Sequence, residues 1–432
     1  RVPLPVPKGD EPGSRGYEVV WVVAERADAV LPKGWEELGR EPGRALTGLR
    51  YLPLFDDLPP FAPPGAWEVD PERIHTVVPG EFVTVEDGTG IVHQAPYGAD
   101  DWETARAHHL PLPEAVGREG RFVCDVGPAK AGTFFKEADD ALMDDLKARG
   151  LLFAKAREPH SYPHCWRCDT PLFYFPAPAW YVRTTALKER MLELNRRIRW
   201  VPPDVGEKRF GEWLSGNVDW NISRDRYWGT PLPFWVCAGC EHVEALDSLT
   251  EVNRRGKLLE EDGSLGDRPP TLSDPHKPGI DGVGLSCPAC GGVLRRTPAV
   301  LDCWFDSGAM PYAQYGWPHA PGSRERVREQ FPADFICEGL DQTRGWFYTL
   351  HALGSFVSTL HEEGLAGEEP AYRTCLVNGL VLDRDGVKMS KRLGNVIDPW
   401  EMVAAHGADA VRWYLLASAA PWLPKRVDPA GI

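Results

Sequence analysis

The apolar run Cys375-Leu376-Val377-Asn378-Gly379-Leu380-Val381-Leu382 reads as a buried strand, and Asp383-Arg384-Asp385-Gly386 closes it with a polar turn. A helix start follows, with Asp398 as N-cap, Pro399 at the first helical position and Glu401 placed for a capping box. Between turn and helix lies the basic stretch Lys388-Met389-Ser390-Lys391-Arg392. The same alternation begins at residue 298. Residues 334–337 predict a short strand. Residues 341–363 predict a helix with Trp346, Leu350, Leu353 and Val357 on its apolar side. Alternating strands and helices predict a parallel α/β sheet that binds ligands at the carboxyl ends of its strands.

Residues 1–157 carry a different pattern. They are rich in Pro and Gly, with short strand-like runs at residues 18–23 and 81–85, and predict a compact, mostly β module with some helix. Residues 137–149 predict a helix with Ala138, Ala141, Leu142 and Leu146 on one side and Gly150 as its stop. Residues 158–183, dense in aromatics and prolines, read as a crossing linker, and residues 187–197 as an amphipathic helix.

At 432 residues and 43% hydrophobic content, two or three packed domains are expected. The net charge of −15 excludes a general polyanion binder and confines any nucleic-acid contact to local basic patches. No apolar run is long enough to span a membrane, and no secretory signal is visible. Ten cysteines are present, six of them in C-x-x-C pairs, which favours metal binding in a reducing cytoplasm over disulfides.

Four constellations carry candidate chemistry. Cys237-Ala238-Gly239-Cys240 and Cys287-Pro288-Ala289-Cys290 form two thiolate knuckles that suit a closed, structural Zn²⁺. A third pair, Cys165 and Cys168, has His160 and His164 nearby but no matching second pair. Gly88-Thr89-Gly90-Ile91-Val92-His93 reads as a strand ending in a histidine, and the turn after it presents Asp100 and Asp101. A carboxylate and an imidazole so placed suit an ammonium group and a hydroxyl or water, though the spacing alone more often describes a structural turn. Finally, Leu301-Asp302-Cys303-Trp304-Phe305-Asp306-Ser307-Gly308 and Glu338-Gly339-Leu340-Asp341-Gln342-Thr343-Arg344-Gly345-Trp346-Phe347 combine an aromatic wall with acids at a strand end. On its own, Asp341 reads more readily as a helix N-cap.

Together these strings resemble class I aminoacyl-tRNA synthetases, in co-linear order and over essentially the whole chain. The lysine stretch resembles the K-M-S-K-S loop, and residues 88–101 resemble the editing motif shared by the isoleucyl, valyl and leucyl enzymes. Ser223-Arg224-Asp225-Arg226-Tyr227-Trp228-Gly229-Thr230-Pro231-Leu232-Pro233 and the E-G-x-D-Q-x-R-G-W-F string resemble the isoleucyl branch. The resemblance implies the second half of a Rossmann-like parallel sheet, interrupted by a mostly β editing domain and a zinc-ribbon-like insertion. It divides the chain into a partial editing domain (1–157), a return segment (158–233), a zinc-knuckle insertion (234–297), a half catalytic domain (298–420) and a linker (421–432). It implies activation of isoleucine with ATP and Mg²⁺, transfer to tRNA(Ile), and hydrolytic editing of Val-tRNA(Ile), by a cytoplasmic monomer. Lys388, Ser390 and Lys391 would act on the triphosphate. Glu338, Asp341 and Gln342 would hold the adenylate and Trp304 the side chain. His93 and Asp101 would edit, with Asp100 as the rival aspartate, because the chain is one residue shorter than the family before it.

Departures from the family pattern limit that expectation. No H-I-G-H-type motif is found, and the threonine-rich editing strand is missing. Asn378 stands where the family commonly has histidine, and Asp225 replaces a more usual amide. The economical expectation is the central part of a longer synthetase, incomplete for adenylate formation when isolated. A free-standing editing hydrolase and a non-catalytic tRNA-binding module are the alternatives.

Overall fold

The computed structural model describes residues 2–3, 17–55, 58, 60–61, 67–95, 97–155, 161–165, 168–360, 369–390 and 393–432. The chain forms two compact units, residues 1–178 and 179–432. Among the described residues, no helix is long and apolar enough to cross a membrane.

The first unit is built largely from turns and single bridges. Its strands pair antiparallel and are short, as where Pro60–Phe61 meets Leu112–Pro113. The expected strand at 81–85 is a turn instead, with the Val83 amide bonded to the Gly80 carbonyl at 3.1 Å. Of residues 18–23, only Glu18 lies in a strand. Alternating side chains hold a strand only where a neighbour pairs with it and one face is covered. Here Val19, Trp21 and Val85 stay exposed. Two helices are well formed, α1 (Ala99–Ala107) and α2 (Asp139–Ala148). Helix α2 ends as its sequence requires: Gly150 takes φ 71°, and the Leu151 amide returns to the Leu146 carbonyl at 2.8 Å. Leu142 from α2 packs with Val116, Phe122, Val126 and Ala138 in the unit's core.

The second unit begins with α3 (Lys188–Asn195), β1 (Arg199–Val201) and β2 (Ser223–Arg224). A five-stranded antiparallel sheet follows, from β3 (Phe234–Cys237), β4 (Val243–Ala245), β5 (Lys257–Leu258), β6 (Val283–Ser286) and β7 (Val293–Arg296). The chain then returns through β8 (Val300–Leu301), α4 (Cys303–Ala313), β9 (Ala333–Gly339), α5 (Trp346–Val357) and β10 (Tyr372–Asn378). It closes with β11 (Val381–Leu382), α6 (Pro399–His406), α7 (Ala408–Ala417) and β12 (Lys425–Arg426). Strands β9, β10 and β1 form the expected parallel sheet, in that order, with Glu338 opposite Val377 and Gly339 opposite Asn378.

Helix α5 crosses from β9 toward β10 and is buried on nearly every side, as a helix apolar all round must be. Phe347 and Leu350 pack with Trp200, Phe210, Tyr372 and Cys375 in the main core. Gly308 lets α4 approach α5 closely: a Cβ there would lie 2.9 Å from the Thr349 backbone. The antiparallel sheet is rooted by Arg296, whose buried guanidinium pairs with Asp281 and donates to the carbonyls of Leu232 (3.2 Å) and Ala299 (2.9 Å). Residues 421–432, read from sequence as the start of a linker, pack here: β12 pairs parallel with β11, and Val427 is buried.

His351 sits inside this core, with Nε2 donating to the Met191 carbonyl at 2.8 Å. No donor among the described residues reaches Nδ1. Burial holds its pKa down at about 4, against an ordinary 6.5. The folded state therefore keeps the ring neutral, and the unfolded chain binds the extra proton between those values. Stability from this group is complete above pH 6.5 and is lost as pH falls towards 4, by about 3 kcal/mol in all. His351→Gln keeps a donor toward Met191 without titrating. Denaturant midpoints at pH 7 and pH 4.5 should fall closer together in the variant than in the wild type; an unchanged gap would remove His351 as the cause.

Candidate active site

The site lies at the carboxyl end of β9. Glu338 and Gly339 close the strand, and Leu340–Arg344 form a 3₁₀ turn before α5. The sequence expected one helix from 341, but the path breaks at Gly345, which has φ −140° and ψ −121°. A side chain at Gly345 would meet the Trp304 ring at 3.1 Å and Gln342 Oε1 at 2.7 Å. The glycine therefore lets the indole and the amide close over the start of α5. Gln342 fixes both sides of the turn: Nε2 donates to Asp341 Oδ2 at 2.9 Å, and Oε1 accepts from the Trp346 amide at 2.9 Å. Asp341 is thus oriented by Gln342 and exposed, and Gly345 takes the N-cap position of α5. Trp304 is 40% exposed. The structure brings Trp304, Asp341 and Gln342 into one neighbourhood, with Glu338 exposed at the strand end beside it.

The sequence reading gave no role to the group that holds Trp304. Asp302, 3% exposed, caps α4 through the Trp304 amide at 3.4 Å. It also accepts from Trp220 Nε1 at 3.3 Å and from Arg224 Nη2 at 2.5 Å. Strands β2 and β8 pair antiparallel, Val300 with Arg224, so the arginine meets the aspartate along a short ladder. This joins the S-R-D-R and D-x-W-F-D-S-G strings physically.

In the lysine loop, β11 runs into the Asp383 turn, and Leu382 bridges Lys388. Asp383 accepts the amides of Val387 (2.7 Å) and Asp385 (3.1 Å), and Asn395 Nδ2 donates to it at 2.7 Å. The Asn395 bond is the main cause that holds the Asp383 carboxyl below its usual range. Asn395 Oδ1 in turn accepts the Ser390 amide at 2.9 Å. Asp383 and Asn395 thus brace the loop across its base, a role the sequence did not reveal. Lys388 is exposed, Ser390 is half-buried, and Lys391 lies outside the described residues. Asp398 caps α6 as expected, accepting the Trp400 amide at 2.8 Å. Asn378 donates to Cys337 Sγ at 3.2 Å.

The four knuckle cysteines converge. Their sulfurs all lie within 4.8 Å of one another, with Cys237–Cys290 and Cys240–Cys287 each at 3.5 Å. A tetrahedral ion about 2.3 Å from each sulfur would space them at about 3.8 Å, so the donor set fits zinc. The Gly239 amide is the main cause that lowers the Cys237 thiol to about 7, while Cys240 and Cys290 are raised, so the cluster gives up a first proton readily and holds the others until a cation displaces them. Two of the four are buried, and four sulfurs would fill every position of a tetrahedral ion, as in a structural rather than a catalytic site.

In the first unit, Asp101 lies in the first turn of α1 and accepts the Gly98 amide at 3.2 Å. Burial is the main cause that raises its carboxyl above the usual range. Asp100 is exposed. His93 is exposed and not in a strand, with its ring edge-on to Tyr51 at 6.0 Å. A cleft of about 260 Å³, lined by Tyr97, Gly98, Val116, Phe135, Leu172 and Phe173 among others, opens beside the Asp101 turn. Cys165 and Cys168 are free thiols; His160 lies outside the described residues.

A parallel sheet with an aromatic and acidic site at its strand ends, a braced lysine loop and a four-cysteine insertion define the class I synthetase fold. The family model for tRNA synthetases class I (I, L, M and V) matches residues 67–422, and the chain belongs to that family. It is 47% identical to isoleucine–tRNA ligase of Thermus thermophilus over 403 residues, covering 93% of this chain and 35% of the relative. It is 44% identical to isoleucine–tRNA ligase of Clostridium novyi over 401 residues, covering 93% and 36%. The chain thus spans about a third of the length of these relatives. A solved LeuRS–tRNA–LeuAMS complex from Agrobacterium radiobacter aligns at TM-score 0.37 and 28% identity, covering 50% of this chain and 26% of that one.

Proposed function

We propose that this chain is part of an enzyme that activates isoleucine with ATP and Mg²⁺ and transfers it to tRNA(Ile). The observation that carries this reading is the turn at Gly345, where the Trp304 ring closes on the same glycine as the Gln342 that orients Asp341. An acid beside an indole wall suits an amino acid with a free ammonium and an apolar side chain. Lys388 and Lys391 neutralise charge that builds on the triphosphate as the adenylate forms. Zn²⁺ on Cys237, Cys240, Cys287 and Cys290 holds the insertion together. The test is pyrophosphate exchange into ATP by the full-length protein. Lys388→Ala and Lys391→Ala should each lower the isoleucine-dependent rate by about two to three orders of magnitude; normal rates would remove the lysines from the mechanism.

The first unit serves hydrolytic editing in this reading. One methylene separates isoleucine from valine and is worth only about 1–3 kcal/mol of discrimination, a figure long tied to the isoleucyl enzymes themselves. Asp101, partly buried beside an apolar cleft, holds the ammonium of a mischarged valine, and His93 orients a hydroxyl or water. Asp101→Ala in the full-length protein should abolish deacylation of Val-tRNA(Ile). Retained deacylation would shift the role to Asp100 or end the editing assignment.

A further inference from the structure

We propose that Trp228 and His276 form a stacking platform for a base of single-stranded RNA, the 3′ end of the tRNA that the proposed function requires. Their rings lie 4.6 Å apart and 7° from parallel. Trp228 is nonetheless 65% exposed, so the indole rests on the imidazole by one face and leaves the other open. The imidazole is held in place. Its Nδ1 lies 2.6 Å from Asp274 Oδ1, and its backbone amide donates to the same oxygen at 2.8 Å. A preset, open π-face costs little ordering when a base lands on it.

The surroundings match a nucleotide better than a protein side chain. Tyr227, next in the chain, is 66% exposed and offers a second ring. Arg226 is exposed, and Lys277 donates to the Arg226 carbonyl at 3.4 Å, tying the two loops together and placing an ammonium beside the rings. Exposed aromatic faces interleaved with cations are how proteins bind unpaired strands: bases stack and phosphates meet the charge. Protein-docking cores, by contrast, are depleted of charged residues.

The platform is also fixed to the site. The loop that carries Trp228 leaves β2 just after Arg224, which grips Asp302, and rejoins the ladder where Pro231 bridges Val300. Asp302 caps the helix that begins with Cys303 and Trp304. A base stacked on Trp228 is therefore anchored to the same ladder as the amino-acid wall. In a tRNA, the unpaired segment that must come to the amino acid is the 3′ end.

The experiment measures binding of a 5′-fluorescein RNA hexamer ending in CCA to residues 1–432 by anisotropy. Trp228→Ala should weaken binding about five- to hundredfold, the range for loss of one stacked base. Trp228→Phe should retain most of the affinity, and Trp413→Ala, at a tryptophan still more exposed (75%), should match the wild type. Circular dichroism checks that each variant folds. No saturable binding by the wild type, or equal binding by Trp228→Ala and wild type, overturns the platform and leaves the synthetase reading untouched. Absence of isoleucine-dependent exchange overturns the synthetase reading and leaves the RNA measurement standing.

Discussion

Asp341→Ala in the full-length protein is expected to lower kcat/KM for isoleucine in pyrophosphate exchange about a hundredfold, with the KM for ATP nearly unchanged. Gln342 orients the carboxylate and a glycine keeps the Trp304 ring close by, so the substrate ammonium would meet an acid already aimed. Truncating one partner of a buried charge pair costs about 2–5 kcal/mol. Asp341 is open to solvent until substrate covers it, which places the effect near the lower end of that range. Gln342→Ala should give a smaller loss of the same kind, because the acid remains but is no longer held. A variant within about threefold of wild type, well below 1 kcal/mol, would remove Asp341 from substrate binding.

Cys287→Ser is expected to release the metal and unfold the antiparallel insertion while the parallel core stays folded. Cys287 is buried among the four sulfurs, and one missing thiolate leaves a three-ligand site. Structural zinc supplies roughly 10–16 kcal/mol in small finger peptides. Here the effect should be a fraction of that, since Trp235, Leu246, Val252, Val283 and Leu294 already form an apolar cluster. Metal analysis should find one zinc per wild-type chain and none in the variant. Hydrogen exchange should lose protection in β3, β6 and β7 but keep it in β9, β10 and α5, which belong to a separate cluster. Full protection of the insertion in a zinc-free variant would contradict a structural role for the metal.

The two units differ in how much their sequences disclosed. In the second, short-range patterns carried far: the Asp398–Pro399 helix start and the paired C-x-x-C knuckles are local signals that formed where they were expected, whereas the apolar run 375–382, read as one buried strand, became two, β10 ending at Asn378 and β11 pairing with β12 in another sheet. What escaped was pairing across distance. Arg224 with Asp302, and Asp383 with Asn395, are ordinary polar residues until the β2–β8 ladder and the loop bring them together. The break at Gly345 escaped for a similar reason. The acid at 341 read as a helix start, yet the apolar stripe itself begins only at Trp346; a 3₁₀ turn over Leu340–Arg344 comes first, and the Trp304 ring closing on Gly345 marks where the helix begins, five residues later. In the first unit, residues 19–23 and 81–85 had strand composition but joined no strand ladder among the described residues, so composition alone misled. The helix at 139–148 was legible because its glycine stop and apolar stripe are both local.

The central claim is tested most directly by ATP–pyrophosphate exchange with the full-length protein, with each of the standard amino acids supplied singly. The account predicts exchange with isoleucine, a weak signal with valine at a kcat/KM about a hundredfold lower, and background with the rest. Exchange driven equally well by leucine, methionine or valine, or by none of them, would contradict it.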